Sequence, residues 1–230
     1  MVYALVLSGG KGIRLGNDRP KQYIEVRNKP IIGYSLDTFQ MNQEVDGIVI
    51  VADEIWRDYI GSYIKDNNIS KFTMFAPSGI SRTHSILNGM LAMEQNNIDL
   101  NSIIIVHDAA RPNISNSLIN SCIKEIEDCD CTMPVLPVKD TVYMSEDAKS
   151  ISSLLNRNHL WAGQAPESVR LGLYLDLIRN MSDEELSSIS GTSAVVFEKG
   201  LNVRLFPGDE HNYKITTFAD LEKFKQEIEG

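Results

Sequence analysis

The sequence predicts an α/β protein whose predominantly parallel sheet is covered by helices on both faces. Three observations predict it. Short apolar runs alternate with stretches of helical periodicity along the 230-residue chain, the pattern of parallel strands joined by crossover helices. Chemistry-bearing residues recur just after the apolar runs, where such sheets form ligand crevices. Composition is that of an ordinary globular protein, 43% hydrophobic and 23% charged, which excludes wholesale disorder.

The elements follow in order. Val2–Leu7 reads as a buried first strand, too short for a secretory leader and running straight into glycines. Pro30–Gln40 reads as a helix opened by proline and carrying Ile31, Ile32, Leu36 and Phe39. Val45–Ala52 is a second strand, Ile55–Asp66 a helix, and Phe72–Phe75 a short strand. Arg82–Gln95 predicts a helix through Ile86, Leu87, Met90 and Leu91, and Ser102–His107 a strand that ends at Asp108. Ser115–Glu127 predicts the next helix, after Pro112.

The segment Thr132–Leu160 has a different character. M-P-V-L-P-V-K-D-T-V-Y is β-like, Ser145–Lys149 is a polar turn, and Ser150–Leu155 returns as a strand. Together they predict a two-stranded arm within residues 137–160. Two strands alone are marginal, so docking onto a second subunit is the expectation, with an edge insertion as the alternative. Ser168–Asn180 predicts a helix, Ser187–Ser193 a polar loop, and Val195–Phe197 and Val203–Phe206 late strands. Thr217–Glu229 predicts a closing helix with Leu221 and Phe224 on one face. No repeat or low-complexity linker divides the chain, so residues 1–230 are expected to form one domain that includes the arm.

Charge narrows the function. A net charge of -9 excludes a broad nucleic-acid footprint, which needs a basic surface. A polyanion site must then be a local concentration of Arg and Lys, helped by a bound cation. Cys122, Cys129 and Cys131 are odd in number and lack a second ligand pair. They predict neither a disulfide framework nor zinc, but structural thiols in a reduced, cytoplasmic protein. No apolar run reaches bilayer length, so membrane insertion is not expected.

Four clusters carry chemistry. The first strand ends in Ser8-Gly9-Gly10-Lys11-Gly12, whose unpaired N–H groups can face an anion approached without a Cβ in the way. Arg14 and Lys21 follow, a fork and a point charge suited to a polyphosphate. The spacing matches neither a P-loop nor a dinucleotide fingerprint, and a nucleoside triphosphate is the leading ligand. In the second cluster, H-D-A-A-R-P, Asp108 can hold Mg²⁺ between phosphates or cap the next turn. Arg111 can touch substrate phosphate or tie down the loop, and His107 suits packing better than base catalysis. The third joins Lys139-Asp140-Thr141 to Asn156-Arg157-Asn158. Thr141 and Arg157 grip a second phosphate if the arm folds back or crosses to a partner, and are otherwise plain exposed residues. The fourth is N-Y-K-I-T-T, where Lys214 either neutralises phosphate or faces solvent. No hydrolase triad or H-E-x-x-H pattern is present.

Taken together, R-L-G-N-D-R-P-K-Q-Y, H-D-A-A-R-P, P-V-K-D-T and N-Y-K-I-T-T-F-A-D-L resemble the cytidylyltransferase family that includes the methylerythritol-phosphate and ribitol-phosphate enzymes. The resemblance covers almost the whole chain. It implies a three-layer Rossmann-like nucleotidyltransferase fold with a mainly parallel twisted sheet and a protruding β-arm. It further implies a homodimer that uses CTP and Mg²⁺ to couple CMP to a small polyol- or sugar-phosphate, releasing pyrophosphate. Arg14, Lys21 and Lys214 would be the catalytic cations around the CTP phosphates, with Asp108 on the metal. Leu7, Ser8, Gly9, Gly10, Gly12, Asp108 and Ala109 would line the nucleotide site, and Gly79 and Ser85 would read the base. Arg111, Thr141, Arg157, Ala165 and Thr192 would serve the acceptor, some across the dimer interface.

Two segments depart from the family pattern. G-Q-A-P-E-S stands where relatives carry a Q-T-P-Q-like run, so Ala165 replaces a hydroxyl-bearing contact. S-I-S-G-T-S-A-V-V replaces an acidic T-D-D/E pattern, with Thr192 or a water filling part of the network. Both departures favour ribitol 5-phosphate or a related pentitol phosphate over methylerythritol phosphate. Another nucleotidyltransferase, or a nucleotide-binding regulator without turnover, are the remaining alternatives.

Overall fold

The computed structural model describes residues 1–10 and 19–229. Gly12 and Arg14, both expected at the nucleotide, lie outside the described residues.

The first strand, β1 (Val2–Leu7), sits near the middle of an eight-stranded mixed sheet. A small hairpin, β2 (Glu25–Val26) and β3 (Lys29–Pro30), precedes helix α1 (Ile31–Met41). Strand β4 (Gly47–Val51), helix α2 (Glu54–Asp66), strand β5 (Phe72–Ala76), helix α3 (Arg82–Gln95) and strand β6 (Ile103–Asp108) follow as crossover units. Helix α4 (Asn116–Glu125) leads to β7 (Cys131–Pro137) and to the arm, β8 (Val142–Met144) paired with β9 (Ser153–Leu155). Then come β10 (Trp161–Gly163), β11 (Glu167–Arg170), α5 (Leu171–Ile178), α6 (Asp183–Ser188), α7 (Thr192–Glu198), β12 (Val203–Pro207) and α8 (Phe218–Glu229).

The order across the sheet is β10-β7-β11-β6-β1-β4-β5, with β12 also paired to β7. Strands β6, β1, β4 and β5 are parallel, and β11 runs antiparallel between β6 and β7. The near-continuous apolar strands follow from burial on both faces. Tyr3 and Leu5 point into one core with Val49, Val51 and Val106, while Ala4 and Val6 point into the other with Ile48, Ile50 and Ile105. Helices α3, α5 and α7 cover the first face through Ile86, Met90, Leu175 and Val196, and α1 and α2 cover the second through Leu36, Phe39 and Ile60. In register, Leu7 lies beside Val51 on one side and Asp108 on the other, so three strands end together at one sheet edge.

Three expectations are corrected. The segment predicted as a helix from Ser168 begins as β11, and helix starts only at Leu171. Its backbone is paired on both sides, while Val169 enters the core and Ser168 Oγ donates to Cys122 O at 2.9 Å. A central strand can thus lack an apolar run when its polar side chain finds a buried partner. Val195–Phe197, predicted as a strand, lies within α7, where Val195 and Val196 pack against the α5 layer. The polar stretch 187–193 is not all loop. A capping box, with Ser182 Oγ accepting from Glu185 N and Glu185 accepting from Ser182 N, starts α6 upstream, and α7 begins at Thr192. The thiols are free, Cys122 and Cys131 buried, and burial pushes both up in pKa.

Candidate active site

Two adjoining cavities open at the edge where β1, β4 and β6 end. The larger, about 1180 Å³, is lined by Leu7, Gly9, Gly10, Lys21, Gly79 and Ser85 among others. The smaller, about 640 Å³, is lined by Arg111, Gln164, Ala165, Glu167 and Ser193 among others. Arg82, Asp108 and Lys214 line both.

The glycine turn is held from behind. Tyr23 OH donates to Ser8 O at 2.8 Å, and Gln22 Nε2 donates to Ser8 O and Gly10 O, both at 2.7 Å. These bonds tie the Pro20–Tyr23 turn to the end of β1. Lys21 Nζ donates to Ile215 O at 2.6 Å, which brings the Lys21 and Lys214 segments together. On the opposite wall, Gly79 N donates to Ser85 Oγ at 2.9 Å, and Ser81 caps α3 by accepting from His84 N. Ser8 and Ala109 are buried beneath this surface, with Ala109 N donating to Leu7 O.

Asp108 is the electrostatic centre. It accepts from Arg82 Nε at 3.2 Å and Lys214 Nζ at 2.9 Å, with Arg111 Nε at 3.8 Å. Burial alone would raise its pKa, but the Arg82 and Lys214 charges hold the carboxyl far below the usual range. It is therefore a permanent anion at neutral pH. Arg82 reaches further: Nη2 donates to Glu167 at 3.2 Å and Nη1 to Thr192 Oγ1 at 3.3 Å. Burial works against the Arg82 charge, and the two carboxylates more than restore it. Arg111 Nη1 donates to Asn212 O at 2.8 Å, and its buried Nε has no hydrogen-bond partner among the described residues.

His107 packs rather than catalyses. Its ring meets Phe39 edge-on at 5.4 Å and Nε2 contacts Arg111 O at 3.0 Å, with burial pushing its pKa down to about 4.

The structure thus assembles Leu7, Gly9, Gly10, Lys21, Gly79, Ser85, Asp108, Arg111, Ala165 and Lys214 around two joined cavities. Thr192 stands behind them on Arg82. Thr141 and Arg157 line neither cavity; Arg157 instead donates from Nη1 to Lys139 O at the arm's base. Sequence reading missed Arg82 and Glu167, which look like an ordinary helix start and a polar residue just before the helix expected from Ser168. The signal was there in Q-A-P-E-S, where an acid enters a departing segment.

Among the described residues no group of three or more His, Cys, Asp or Glu could hold a metal ion by itself. One permanently ionised oxygen donor fits an ion carried mainly by substrate phosphates, since Mg²⁺ favours few carboxylates and keeps phosphate and water ligands.

The model of the family described as "IspD: 2-C-methyl-D-erythritol 4-phosphate cytidylyltransferase" matches residues 2–227. The chain belongs to the IspD family. It is a CTP-dependent cytidylyltransferase acting on a phosphorylated small molecule. It is 30% identical over its whole length to the ribitol-5-phosphate cytidylyltransferase of Vibrio parahaemolyticus, covering 96% of that protein. It is 29% identical to the enzyme of the same name from Streptococcus agalactiae, over 98% of this chain and 94% of that one. In fold it is similar to the 4-diphosphocytidyl-2C-methyl-D-erythritol synthase of Anaerococcus prevotii, with a TM-score of 0.83 and 22% identity, over 100% of this chain and 96% of that one. The fold of the IspD family relative thus agrees with the mixed sheet described above.

Proposed function

We propose that the enzyme transfers CMP from CTP to the phosphate of an acyclic polyol phosphate. The observation that carries this reading is the sharing of Arg82, Asp108 and Lys214 between the two cavities. Two anions bound side by side would meet over these residues. A phosphate oxygen of the acceptor forms the new bond to the α-phosphorus. The bond from that phosphorus to the β-bridging oxygen breaks, and its electrons leave with pyrophosphate.

No side-chain nucleophile is needed, because the acceptor phosphate is already anionic. Lys21 and Lys214 stabilise the charge that develops on the α-phosphate and the departing pyrophosphate. Arg111 holds the acceptor phosphate. Gly9 and Gly10 offer a surface that the triphosphate can approach closely. Asp108 is the protein's ligand for Mg²⁺, which when bound neutralises triphosphate charge.

The finer choice is the acceptor's carbon chain. The family model's description makes 2-C-methyl-D-erythritol 4-phosphate the first acceptor to test. Both curated relatives are named for ribitol 5-phosphate, which is the second. The exposed arm, with Tyr143, Met144, Ile151 and Leu154 facing outward, supports a homodimer in which Thr141 and Arg157 reach a partner's acceptor cavity. The test supplies CTP and Mg²⁺ with each acceptor and measures pyrophosphate release and product mass. A CDP-linked polyol is the expected product. CTP binding without turnover on either acceptor would overturn the reading.

A further inference from the structure

We infer that Glu167 is a specificity-determining residue that accepts a hydrogen bond from a hydroxyl of the acceptor's carbon chain. The inference rests on the polyol phosphate reading above.

Glu167 lines the smaller cavity although it is only 5% exposed. A buried carboxylate is costly unless donors surround it. Here Oε1 accepts from Arg82 Nη2 and Thr192 N, both at 3.2 Å, and Oε2 accepts from Ser193 N at 2.6 Å. An ionised carboxylate offers about four acceptor positions. One on Oε2 therefore stays unused.

Two neighbouring side chains of this cavity, Gln164 and Ala165, cannot take its place. The Gln164 amide is consumed, with Nε2 donating to Asp209 O at 2.9 Å and Oε1 accepting from Asp209 N at 3.1 Å. Ala165 has no hydroxyl. Gly191 adds an independent observation. A Cβ built there would stand 3.7 Å from Glu167 Oε2 and 3.8 Å from Oε1, in ordinary contact, so a methyl group would cover part of the carboxylate's open side. With phosphate held at Arg111 and Lys214, the acceptor chain lies toward Glu167, where a hydroxyl supplies the fourth donor.

The test compares the wild-type enzyme with Glu167→Gln, Glu167→Asp and Gly191→Ala. CTP·Mg²⁺ affinity is read by calorimetry, and KM and kcat by product formation with ribitol 5-phosphate and 2-C-methyl-D-erythritol 4-phosphate. Gly191 has an extended backbone with φ of −167° that alanine adopts without strain, so this variant folds even if Glu167→Gln does not. Glu167→Gln should raise the acceptor KM about ten- to a hundredfold, the scale of one hydrogen bond to a charged group. CTP affinity and kcat should stay within about threefold. Glu167→Asp should recover part of the loss, and Gly191→Ala should raise KM alone. The wild type should also prefer the polyol phosphates to n-pentyl phosphate by a similar factor. Unchanged acceptor KM in Glu167→Gln and Gly191→Ala, or equal use of n-pentyl phosphate, would overturn the inference while polyol turnover stood. Parallel loss of CTP affinity would make Glu167 only an anchor for Arg82, also overturning it. No wild-type turnover on either polyol phosphate would overturn the underlying reading as well.

Discussion

Lys214 and Asp108 stand 106 residues apart in sequence, yet Nζ and Oδ2 meet at 2.9 Å where the two cavities join. The ammonium is already paired with a carboxylate before substrate arrives. An incoming phosphate must share it with the carboxylate or draw it away, which places Lys214 where charge changes during transfer.

Lys214→Ala should therefore lower kcat/KM by about a hundredfold or more, roughly 3 kcal/mol of transition-state stabilisation. Folding should suffer less than from loss of Asp108, because the lysine side chain is 38% exposed and the carboxylate keeps Arg82. Steady-state pyrophosphate release and thermal denaturation on one preparation check the split. A fully active Lys214→Ala enzyme would remove Lys214 from catalysis.

Asp108→Ala should lower turnover and damage folding as well. It leaves the half-buried Arg82 and Arg111 without their shared anion, although Arg82 keeps Glu167, so the loss should be about 3 kcal/mol, the low end for breaking a buried pair. Because the folded carboxyl titrates far below its usual range, its stabilisation is full above the unfolded pKa of about 3.9 and is lost as pH falls below that. Urea denaturation of wild type and Asp108→Asn should differ most near neutral pH and converge under strong acid.

His107 supplies a second acid-side slope in a milder range. The folded state favours its neutral form, with pKa lowered from 6.5 to about 4 by burial. Its contribution is full above pH 6.5 and declines through that window as the unfolded chain takes up the proton. The full span is on the order of 3 kcal/mol. A His107→Gln variant that keeps the wild-type slope of stability between about pH 6.5 and 4 would refute the assignment.

Two glycines of the nucleotide cavity should respond differently to a methyl group. A Cβ at Gly79 would lie 2.3 Å from His84 Cβ and 2.8 Å from Ser85 N, forcing the wall apart. One at Gly10, which lines the larger cavity, meets nothing among the described residues within 4 Å. Gly79→Ala is expected to lower both Tm and CTP affinity, whereas Gly10→Ala should keep Tm and lose CTP affinity alone.

Removing the arm between Thr141 and Asn156 should yield monomers by light scattering and abolish turnover, while CTP binding persists. A dimer that survives the deletion would move the interface elsewhere.

The strands β1, β4 and β6 were legible because they meet burial on both faces with uninterrupted apolar runs. Helices α1, α2 and α3 were legible from their periodicity, and the glycine turn, Lys21, Asp108 and Lys214 from residue types whose chemistry is visible without neighbours. β11 and α7 were not. Glu167, Ser168 and Thr192 carry no periodic signal, and their burial is tolerated only because partners arrive from β6, α3 and α4. The same reason hid Arg82, whose role is its reach to two carboxylates distant in sequence. Local chemistry and apolar pattern are properties of segments, and the sequence determined them. Which charges share a buried site depends on distances across the sheet edge, and only tertiary packing decided those.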